Sequence, residues 1–172
     1  IGKIKARKQR GECVVALNGT LKLLKSNGIK PDIAAFLDTS EAVCGFIDDD
    51  EPDSWLYLVA SACHPKVLDK LEGRRVVLWH ADIDEKEQQE ILDLYPDKPG
   101  SLVGGGNTVG LRMLNIGYLL GFRTFHYYGL DSSFSEEGRD HAYTKHDGVE
   151  PDSETVKFAG KTYRCSPWMR RQ

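Results

Sequence analysis

Short apolar runs alternate with polar loops and helix-like stretches up to about residue 130 of the chain. The first runs, Cys13 to Leu17 and Ile33 to Leu37, are apolar and partly β-branched, as buried strands usually are. Between them an apolar, helix-like stretch runs to Leu24, and Gly28 ends it. This repeated order of strand, loop and helix predicts an α/β fold with a mostly parallel sheet flanked by helices.

Further strands and three more helices continue this pattern. His64-Pro65 opens the first of these helices, and its last turn ends near Gly73. Strands are predicted at Trp55 to Ala60 and at Val76 to Trp79, and the acidic stretch from Asp82 to Leu94 predicts a helix on the surface. The stretch from Val109 to Leu120 is the most apolar helix-like segment of the chain, which indicates burial against the sheet. A last parallel strand is predicted at Thr124 to Tyr128.

The final part of the chain has a different pattern. A polar loop, Ser135 to Ser153, precedes an alternating stretch from Val156 to Cys165, which predicts a C-terminal β-hairpin with its turn at Ala159-Gly160. A length of 172 residues suits a single domain. Because the chain begins in a basic run and ends without a helix stop signal, the sequence leaves open that it is a fragment of a longer protein.

Charge and hydropathy exclude two classes of partner. The chain carries 23 Lys and Arg against 26 Asp and Glu, so it lacks the positive field that draws proteins to nucleic acid. Its apolar runs are far shorter than the roughly 18 residues of a membrane-spanning helix, and no signal-peptide pattern is present. We therefore expect a soluble, cytoplasmic protein that binds neither nucleic acid nor membrane. The sequence does not indicate its oligomeric state.

The four cysteines, Cys13, Cys44, Cys63 and Cys165, are widely spaced and form no C-x-x-C pair. This spacing predicts reduced thiols instead of a structural zinc site or a disulfide scaffold. Cys63 and His64 are adjacent, as metal ligands can be. However, Cys13 and Cys63 fall within apolar strand-like runs, where a small buried residue is the simpler interpretation.

A glycine-rich run gives the strongest local signal for ligand binding. Ligands of parallel sheets bind beyond the carboxyl ends of the strands, and Gly104-Gly105-Gly106-Asn107-Thr108 opens the most apolar helix. Residues without a Cβ let backbone amides approach a ligand, and the positive end of the following helix favours an anion such as phosphate. The run lacks the lysine and the spacing of the known phosphate-binding loops, so a tight turn with close helix packing is the alternative.

Two carboxylates and a histidine extend this candidate site. Asp38 and Asp131 each follow a predicted strand and precede hydroxyl residues, so each suits a ribose, a magnesium ion held through phosphate or a polar headgroup. Helix capping is the alternative for both. His141 lies in the polar loop, where an imidazole suits general acid or base chemistry, and a solvent-exposed histidine is an equally simple interpretation.

Four groups of segments stand out when they are taken in order. They are Leu17-Asn18-Gly19-Thr20, Gly28-Ile29-Lys30-Pro31-Asp32 with Asp38 after it, Gly104-Gly105-Gly106-Asn107-Thr108, and Gly129-Leu130-Asp131 followed by His141-Ala142-Tyr143. Together they resemble the MptE-like family. The family includes archaeal 6-hydroxymethyl-dihydropterin pyrophosphokinases, and bacterial motility accessory factors that act in glycosylating flagellin are its relatives. This chain keeps an Asn-Gly pair in its first loop but lacks an early glycine of the usual Gly-x-Gly-x-Ser.

The resemblance implies a Rossmann-like α/β domain, similar also to a class of sialyltransferases, with a nucleotide site at the first loop and the glycine-rich loop. It makes Asp131 the candidate metal ligand and makes Asp131 and His141 the candidate catalytic residues. By position it assigns nucleotide contacts to Asn18, Gly19, Thr20, Asp38, Gly104, Gly105, Gly106, Asn107 and Thr108.

The reaction that the resemblance implies is group transfer from a nucleotide donor to a small-molecule acceptor. In the pterin branch, ATP with magnesium gives a diphosphate to a hydroxymethyl group and leaves AMP. In the accessory-factor branch, the donor is a CMP-linked nonulosonic sugar. A third interpretation is a non-catalytic nucleotide-binding accessory domain that keeps the fold. We expect the first of these, and the sequence does not identify the acceptor.

Overall fold

A computed structural model of the chain describes residues 1–48, 56–82, 85–94, 96–97, 102–130, 132–134 and 152–170. The chain divides into two compact units, Ile1–Phe122 and Arg123–Gln172. The first unit contains a five-stranded sheet with its helices, and the second contains a two-stranded hairpin. The candidate residues that the structure describes all belong to the first unit.

The sheet of the first unit is parallel throughout, and its strands are added in chain order. The predicted Rossmann-like α/β fold with a parallel sheet is therefore confirmed. β5 was not predicted, because two residues are too few to give a periodic pattern. The strands are β1 (Val15–Leu17), β2 (Ile33–Phe36), β3 (Leu56–Ala60), β4 (Arg75–Ala81) and β5 (Leu102–Val103).

Helices precede and connect these strands. Gly28, which was predicted to stop the helix after β1, has a φ of 68°, a left-handed conformation that glycine adopts without strain. Among the helices that the structure describes, none has both the length and the apolar content needed to cross a membrane. The helices are α1 (Gly2–Gln9), α2 (Thr20–Ser26), a 3-10 helix (Glu41–Phe46), α3 (Lys66–Lys70), α4 (Glu85–Leu94) and α5 (Val109–Leu119).

The hydrophobic core surrounds the two central strands, β2 and β3. All four residues of β2 are buried, and the side chains of Phe36 and Tyr57 have no exposed surface. Leu21 of α2, Val67 of α3 and Met113 of α5 belong to the same buried cluster. Burial of each large apolar side chain contributes about 1.5–3 kcal/mol to folding. The packing of helices on these strands therefore fixes where the strands end and their loops begin.

Charged contacts hold α1 near the opposite, amino ends of the strands. No residue of α1 is buried. Lys8 forms an ion pair with Asp32, whose Oδ2 accepts a hydrogen bond from the Val14 amide at 2.8 Å. Because Asp32 immediately precedes β2, this places the end of α1 beside the starts of β1 and β2.

The second unit contains the predicted hairpin, formed by β6 (Glu154–Phe158) and β7 (Lys161–Cys165), and a short helix, α6 (Pro167–Arg170). The turn residues Ala159 and Gly160 have φ values of 48° and 76°. Positive φ at both central residues matches the right-handed twist of the two strands, which explains the two-residue turn. The hairpin prediction is therefore confirmed.

The predicted strand at Thr124 to Tyr128 is wrong. These residues form no strand and belong to neither sheet of the described part of the chain. His126, Tyr127 and Tyr128 are exposed, and the rings of Phe125 and Tyr127 stack with centroids 6.5 Å apart. Aromatic residues are common in strands, and here two of them stack on each other outside any strand.

All four cysteines are free thiols, as predicted. Cys44, Cys63 and Cys165 are buried, and burial raises the pKa of the Cys63 thiol. Cys13 is exposed, because β1 begins only at Val15, so the prediction that it is a buried strand residue is wrong.

Candidate functional site

Polar residues and glycines follow the strands of the sheet at their carboxyl ends, a side of the sheet that we call the carboxyl edge. Residues 18–20 follow β1, residues 37–40 follow β2, residues 61–64 follow β3, Asp82 follows β4 and residues 104–108 follow β5. Because the strands are parallel, these segments all lie on one side of the sheet. The predicted nucleotide residues are therefore brought to one edge.

Asn18 extends the pairing of β1 and β2 with its side chain. Its Oδ1 accepts a hydrogen bond from the Leu37 amide at 3.1 Å, and its Nδ2 donates to the Leu37 carbonyl at 3.3 Å. Its own amide donates to the carbonyl of Ala35 at 2.9 Å. Asn18 has a φ of 43°, a left-handed conformation that asparagine tolerates better than most residues. It is thus held as a structural element of the loop.

Thr20 has its hydroxyl engaged at the end of β1. The Oγ1 atom accepts from the Leu17 amide at 2.7 Å and donates to the Leu17 carbonyl at 2.8 Å. Gly19 between Asn18 and Thr20 is buried and precedes the first residue of α2. The polar side chains of the first loop are therefore already hydrogen-bonded to the protein backbone. A ligand would contact this loop through its backbone groups.

Asp38 orders the loop after β2. Its Oδ1 accepts a hydrogen bond from the Ser40 amide at 2.8 Å, and the Ser40 hydroxyl accepts from Ala42 N at 3.2 Å to begin the 3-10 helix. The Asp38 carbonyl accepts from the His64 amide at 3.1 Å, which ties this loop to the loop after β3. Ser40 is thus the helix cap, and the half-buried Asp38 carboxylate lies just before it.

The glycine-rich loop is packed tightly on the helix that follows it. A Cβ on Gly105 would lie 2.7 Å from Asn115 Nδ2, and one on Gly106 would lie 2.7 Å from Leu111 Cδ1. Both residues have positive φ, 115° and 82°. Asn115 also donates to the Gly104 carbonyl at 2.9 Å. Close helix packing, the alternative interpretation of the glycines, is therefore present, and the loop surface at positions 105–107 is nevertheless exposed.

Thr108 caps the amino end of α5. Its backbone is extended, and its Oγ1 accepts a hydrogen bond from the Leu111 amide at 3.3 Å. The first amides of a helix have no partner within the helix. The capped end of this 11-residue helix therefore presents the remaining amides of its first turn, with the positive end of its dipole, next to the exposed loop.

Arg112 is a feature of this edge that sequence reasoning missed. It is 4% exposed, and its Nη2 donates to the Asp82 carbonyl at 2.8 Å while its Nη1 donates to the Val103 carbonyl. One guanidinium thus joins the ends of β4 and β5. Burial lowers the pKa of Arg112, and the negative charge of Asp82 opposes that change. A single arginine within the most apolar helix is the signal by which the sequence could have revealed it.

Ser61 and His80 form a side-chain hydrogen bond at the carboxyl edge, a second feature that was not predicted. The Ser61 hydroxyl lies 2.9 Å from His80 Nδ1. The pairing of Ala60 with Trp79 places the next residues, Ser61 and His80, side by side across β3 and β4. A hydroxyl bonded to an imidazole can relay a proton. Only strand register, which the sequence does not display, brings the two together.

The predicted catalytic and metal-binding residues, Asp131 and His141, lie outside the described residues. Within the part of the chain that the structure describes, no group of three or more His, Cys, Asp or Glu side chains is arranged to hold a metal ion. The adjacent Cys63 and His64 thus belong to no such group, and His64 Nδ1 instead accepts from the Lys66 amide at 3.3 Å at the start of α3.

A shallow pocket of about 250 Å³ borders the start of the glycine-rich loop. Its lining combines the end of β5 with the outer side of α5, where Tyr118 and Leu119 are 58% and 73% exposed. An exposed aromatic ring next to the glycine-rich loop offers a flat surface on which a planar ring can stack. The lining residues are Leu102, Val103, Gly104, Asn115, Tyr118 and Leu119.

Comparison with known protein families gives a match over residues 1–137 to the family described as 6-hydroxymethylpterin diphosphokinase MptE-like. A comparison with curated proteins gives no match. The match to the family model covers the whole of the sheet and its carboxyl edge.

A solved structure, that of the MAf glycosyltransferase from Magnetospirillum magneticum AMB-1, is similar in fold. Its TM-score is 0.72 at 19% sequence identity, and the match covers 98% of this chain and 25% of that protein. The chain thus spans a quarter of the length of its structural neighbour. At this identity the likeness concerns the fold alone.

Proposed function

The chain belongs to the MptE-like family, and on that premise we propose that it is a transferase domain whose nucleotide donor binds at the carboxyl edge, with its phosphates at the start of α5. The observation that carries the proposal is the arrangement of residues 104–108. The loop is exposed, two of its glycines have positive φ, and it leads into the capped amino end of a buried helix. Such an end attracts and hydrogen-bonds a phosphate.

The pocket beside the loop supports a complete nucleotide site. With phosphates at residues 105–108, a base placed in the pocket would contact the ring of Tyr118 and the side chain of Leu102. The half-buried Asp38 lies at the same edge of the sheet and suits a ribose or the acceptor. In this arrangement the chain contributes mainly positioning and electrostatic stabilisation, which is what phosphoryl transfer requires of a protein.

We propose ATP with magnesium as the donor, in keeping with the family description of a 6-hydroxymethylpterin diphosphokinase. The acceptor hydroxyl oxygen would attack the β-phosphorus, the bond to the α-phosphate oxygen would break, and AMP would leave. Asp131 is the metal ligand that we propose, and His141 is the residue that we propose to take the acceptor proton. A diphosphate transferred in one step needs its charge neutralised by the metal and the helix end.

A second candidate is transfer from a CMP-linked sugar. The fold comparison favours it, because the similarity to a glycosyltransferase structure covers 98% of this chain. In that case no diphosphate is transferred, and the loop contacts the single phosphate of CMP. A non-catalytic accessory domain is the third candidate. The closed first loop, in which Asn18 and Thr20 bond to neighbouring backbone, is the observation that favours it.

Ligand binding by the chain distinguishes the three candidates. Thermal unfolding is measured with ATP, AMP, CTP and CMP, each with and without magnesium, because a ligand that binds the native state raises its stability with occupancy. We expect a magnesium-dependent shift with ATP. A metal-independent shift with CMP supports the sugar transferase instead, and no shift with any nucleotide contradicts both transferase proposals.

The Asn107→Asp variant tests where the phosphates bind. Position 107 is exposed, so a carboxylate there leaves the fold intact while it repels an anion at the helix end. We expect nucleotide affinity to fall about tenfold, equivalent to about 1.4 kcal/mol. Gln9→Glu makes the same change of charge at an exposed position in α1, near the amino ends of the strands, and should not alter affinity. Equal affinity in both variants would contradict the proposed location.

A further inference from the structure

Arg112 carries a buried charge that its protein partners do not neutralise. The carbonyls of Val103 and Asp82 satisfy its two terminal nitrogens but bring no negative charge. Its Nε is buried and has no hydrogen-bond partner among the described residues. A buried cation is costly unless it is paired. Two nitrogens of the guanidinium therefore have hydrogen-bond acceptors, but no anion among the described residues balances its positive charge.

The Asp82 carboxylate influences this charge without binding it. Asp82 is only partly buried, and its Oδ1 accepts a hydrogen bond from Gln88 of α4. Its contact with Arg112 is made through its main-chain carbonyl. The carboxylate therefore offsets part of the positive potential from a distance, and replacing it with a neutral side chain of the same shape would strengthen that potential.

The hydrogen bonds of Arg112 place its guanidinium beside the start of the glycine-rich loop. Val103, which accepts from Nη1, is followed immediately by Gly104, and the Arg112 amide donates to the Thr108 carbonyl at 3.1 Å. The side chain thus connects the start of the loop with the turn of helix at its end. Two independent sources of positive potential, the first amides of α5 and the buried guanidinium, therefore lie at the same end of β5.

We infer that Arg112 is the positioning residue of a diphosphate site at residues 104–108, where it supplies fixed positive charge to the bound anion and holds the ends of β4 and β5 in place. The inference rests on the proposed function in placing a donor's phosphates at this loop. It also narrows the ligand class. A diphosphate carries more charge than a single phosphate and gains more from a fixed cation in a partly desolvated position.

Inorganic pyrophosphate is the probe, and its affinity is measured by titration calorimetry at a temperature where circular dichroism shows each variant folded. Arg112→Met keeps the length of the side chain and removes its charge, and we expect binding about tenfold weaker. Arg112→Lys keeps the charge but cannot bridge both carbonyls. We therefore expect it to lower stability while its affinity stays within about threefold of wild type.

Asp82→Asn provides a test in the opposite direction and does not depend on the folding of an Arg112 variant. Removal of the carboxylate charge should tighten pyrophosphate binding about threefold. Weaker or unchanged binding by Asp82→Asn overturns the inference, as does equal affinity of wild type and Arg112→Met. If the wild type binds pyrophosphate with this variant dependence but binds no nucleotide, the inference holds and the proposed function fails. If nucleotides bind to wild type and pyrophosphate does not, the inference fails and the proposed function stands.

Discussion

Asn18 and Leu37 exchange two hydrogen bonds, in which the side-chain amide of Asn18 both accepts from the Leu37 amide and donates to the Leu37 carbonyl. The side chain thereby behaves as one more strand residue at the end of β1. The side chain of a loop residue that was predicted to contact a nucleotide therefore extends the pairing of β1 and β2. Its backbone still lies at the carboxyl edge, so the two roles are compatible.

Removal of the Asn18 amide should destabilise the protein. Asn18→Ala loses both hydrogen bonds and places alanine at a φ of 43°, so we expect the free energy of unfolding in urea to fall by about 2 kcal/mol. Asn27→Ala is the matched control, because the Asn27 side chain donates to a carbonyl at an exposed helix end. It should cost less than about 0.5 kcal/mol. Equal losses in the two variants would mean that the contact with Leu37 contributes little.

The glycines of the loop should differ in sensitivity according to their surroundings. Gly105→Ala combines a φ of 115° with a Cβ only 2.7 Å from Asn115, so we expect a loss of about 2–3 kcal/mol in unfolding free energy. Gly28→Ala has positive φ but open space around it and should cost about 1 kcal/mol. Gly45→Ala, with open space and ordinary φ, should change stability by less than about 0.5 kcal/mol.

A double-variant cycle separates backbone strain from crowding at Gly105. If the Asn115 side chain is the obstacle, Asn115→Ala should recover about 1 kcal/mol when it is introduced together with Gly105→Ala. Strictly additive effects in urea unfolding would assign the whole cost to the backbone conformation. The result also decides whether substitutions at Gly105 can be used to test ligand binding without a loss of stability.

The cysteines should react in two groups. Cys13 is exposed, whereas Cys44, Cys63 and Cys165 are buried. A pyridyl disulfide reagent at pH 8 should therefore label one thiol of the native protein, and all four only after denaturation. Cys13→Ser should abolish the labelling of the native protein. Labelling that persists in this variant would show that one of the buried thiols opens readily to solvent.

Burial and negative charge should make the Cys13 reaction dependent on pH. Although Cys13 is exposed, neighbouring groups desolvate its thiol, and this effect and then the charge of Asp32 raise the pKa of Cys13 above its usual range. The labelling rate should therefore continue to rise above pH 9, where an ordinary thiol is already mostly ionised. A rate that levels off below pH 9 would contradict a raised pKa at Cys13. Asp32→Asn offers a direct comparison at the same position.

Low pH should reduce the free energy of unfolding slightly, through loss of the ion pair between Lys25 and Asp48. Lys25 bonds to Asp48 at 2.7 Å and holds the pKa of that carboxyl below its usual range. A lowered pKa in the folded state stabilises the protein above the unfolded-state pKa, and that stability is lost as pH falls through the folded-state value. The Asp48 side chain is 45% exposed, so solvent screening limits the effect to less than about 1 kcal/mol.

Comparison of Lys25→Met with wild type isolates this contribution. The two proteins should differ in unfolding free energy at pH 6, and the difference should shrink as the pH falls below about 4, the usual aspartate pKa, and through the lower folded-state pKa of Asp48. A difference that is constant across this range would assign the loss to packing of the lysine side chain, without the ion pair.

The strands and turns that are governed by local chemistry were predicted from the sequence. Gly28 and the Ala159-Gly160 turn were found because their positive φ values leave a residue signature. The apolar runs of β2 and β3 were found because strands buried on both faces are almost wholly apolar. β4 was also found by its apolar run, although Val77 and Leu78 of that run are exposed. β5 consists of Leu102 and Val103, and its existence depends on pairing with His80 and Ala81 of another strand.

The sequence predicted where the candidate residues lie better than it predicted the contacts that they and their neighbours make. Residues 18–20, 38 and 104–108 lie at one edge, since a parallel sheet places all strand ends together. The role of Arg112 depends on two carbonyls from strands that precede α5 in the chain, and the Ser61–His80 pair depends on register. Both are contacts between distant segments. The lone arginine of an apolar helix marks Arg112 as unusual but does not show its partners, and the Ser61–His80 pair leaves no local pattern. The segment Thr124 to Tyr128 shows the converse error, because a local interpretation predicted a strand that is not among the strands of the described residues.

The order in which the strands pair has a consequence for how the chain folds during synthesis. Each strand pairs with the one before it, and paired residues in successive strands are about 20 residues apart in sequence. Every pairing therefore closes a short loop at low entropic cost. No strand of this sheet pairs with one that is synthesised much later. The sheet can grow from β1 outward as the chain leaves the ribosome, with Arg112 arriving last to join the ends of β4 and β5.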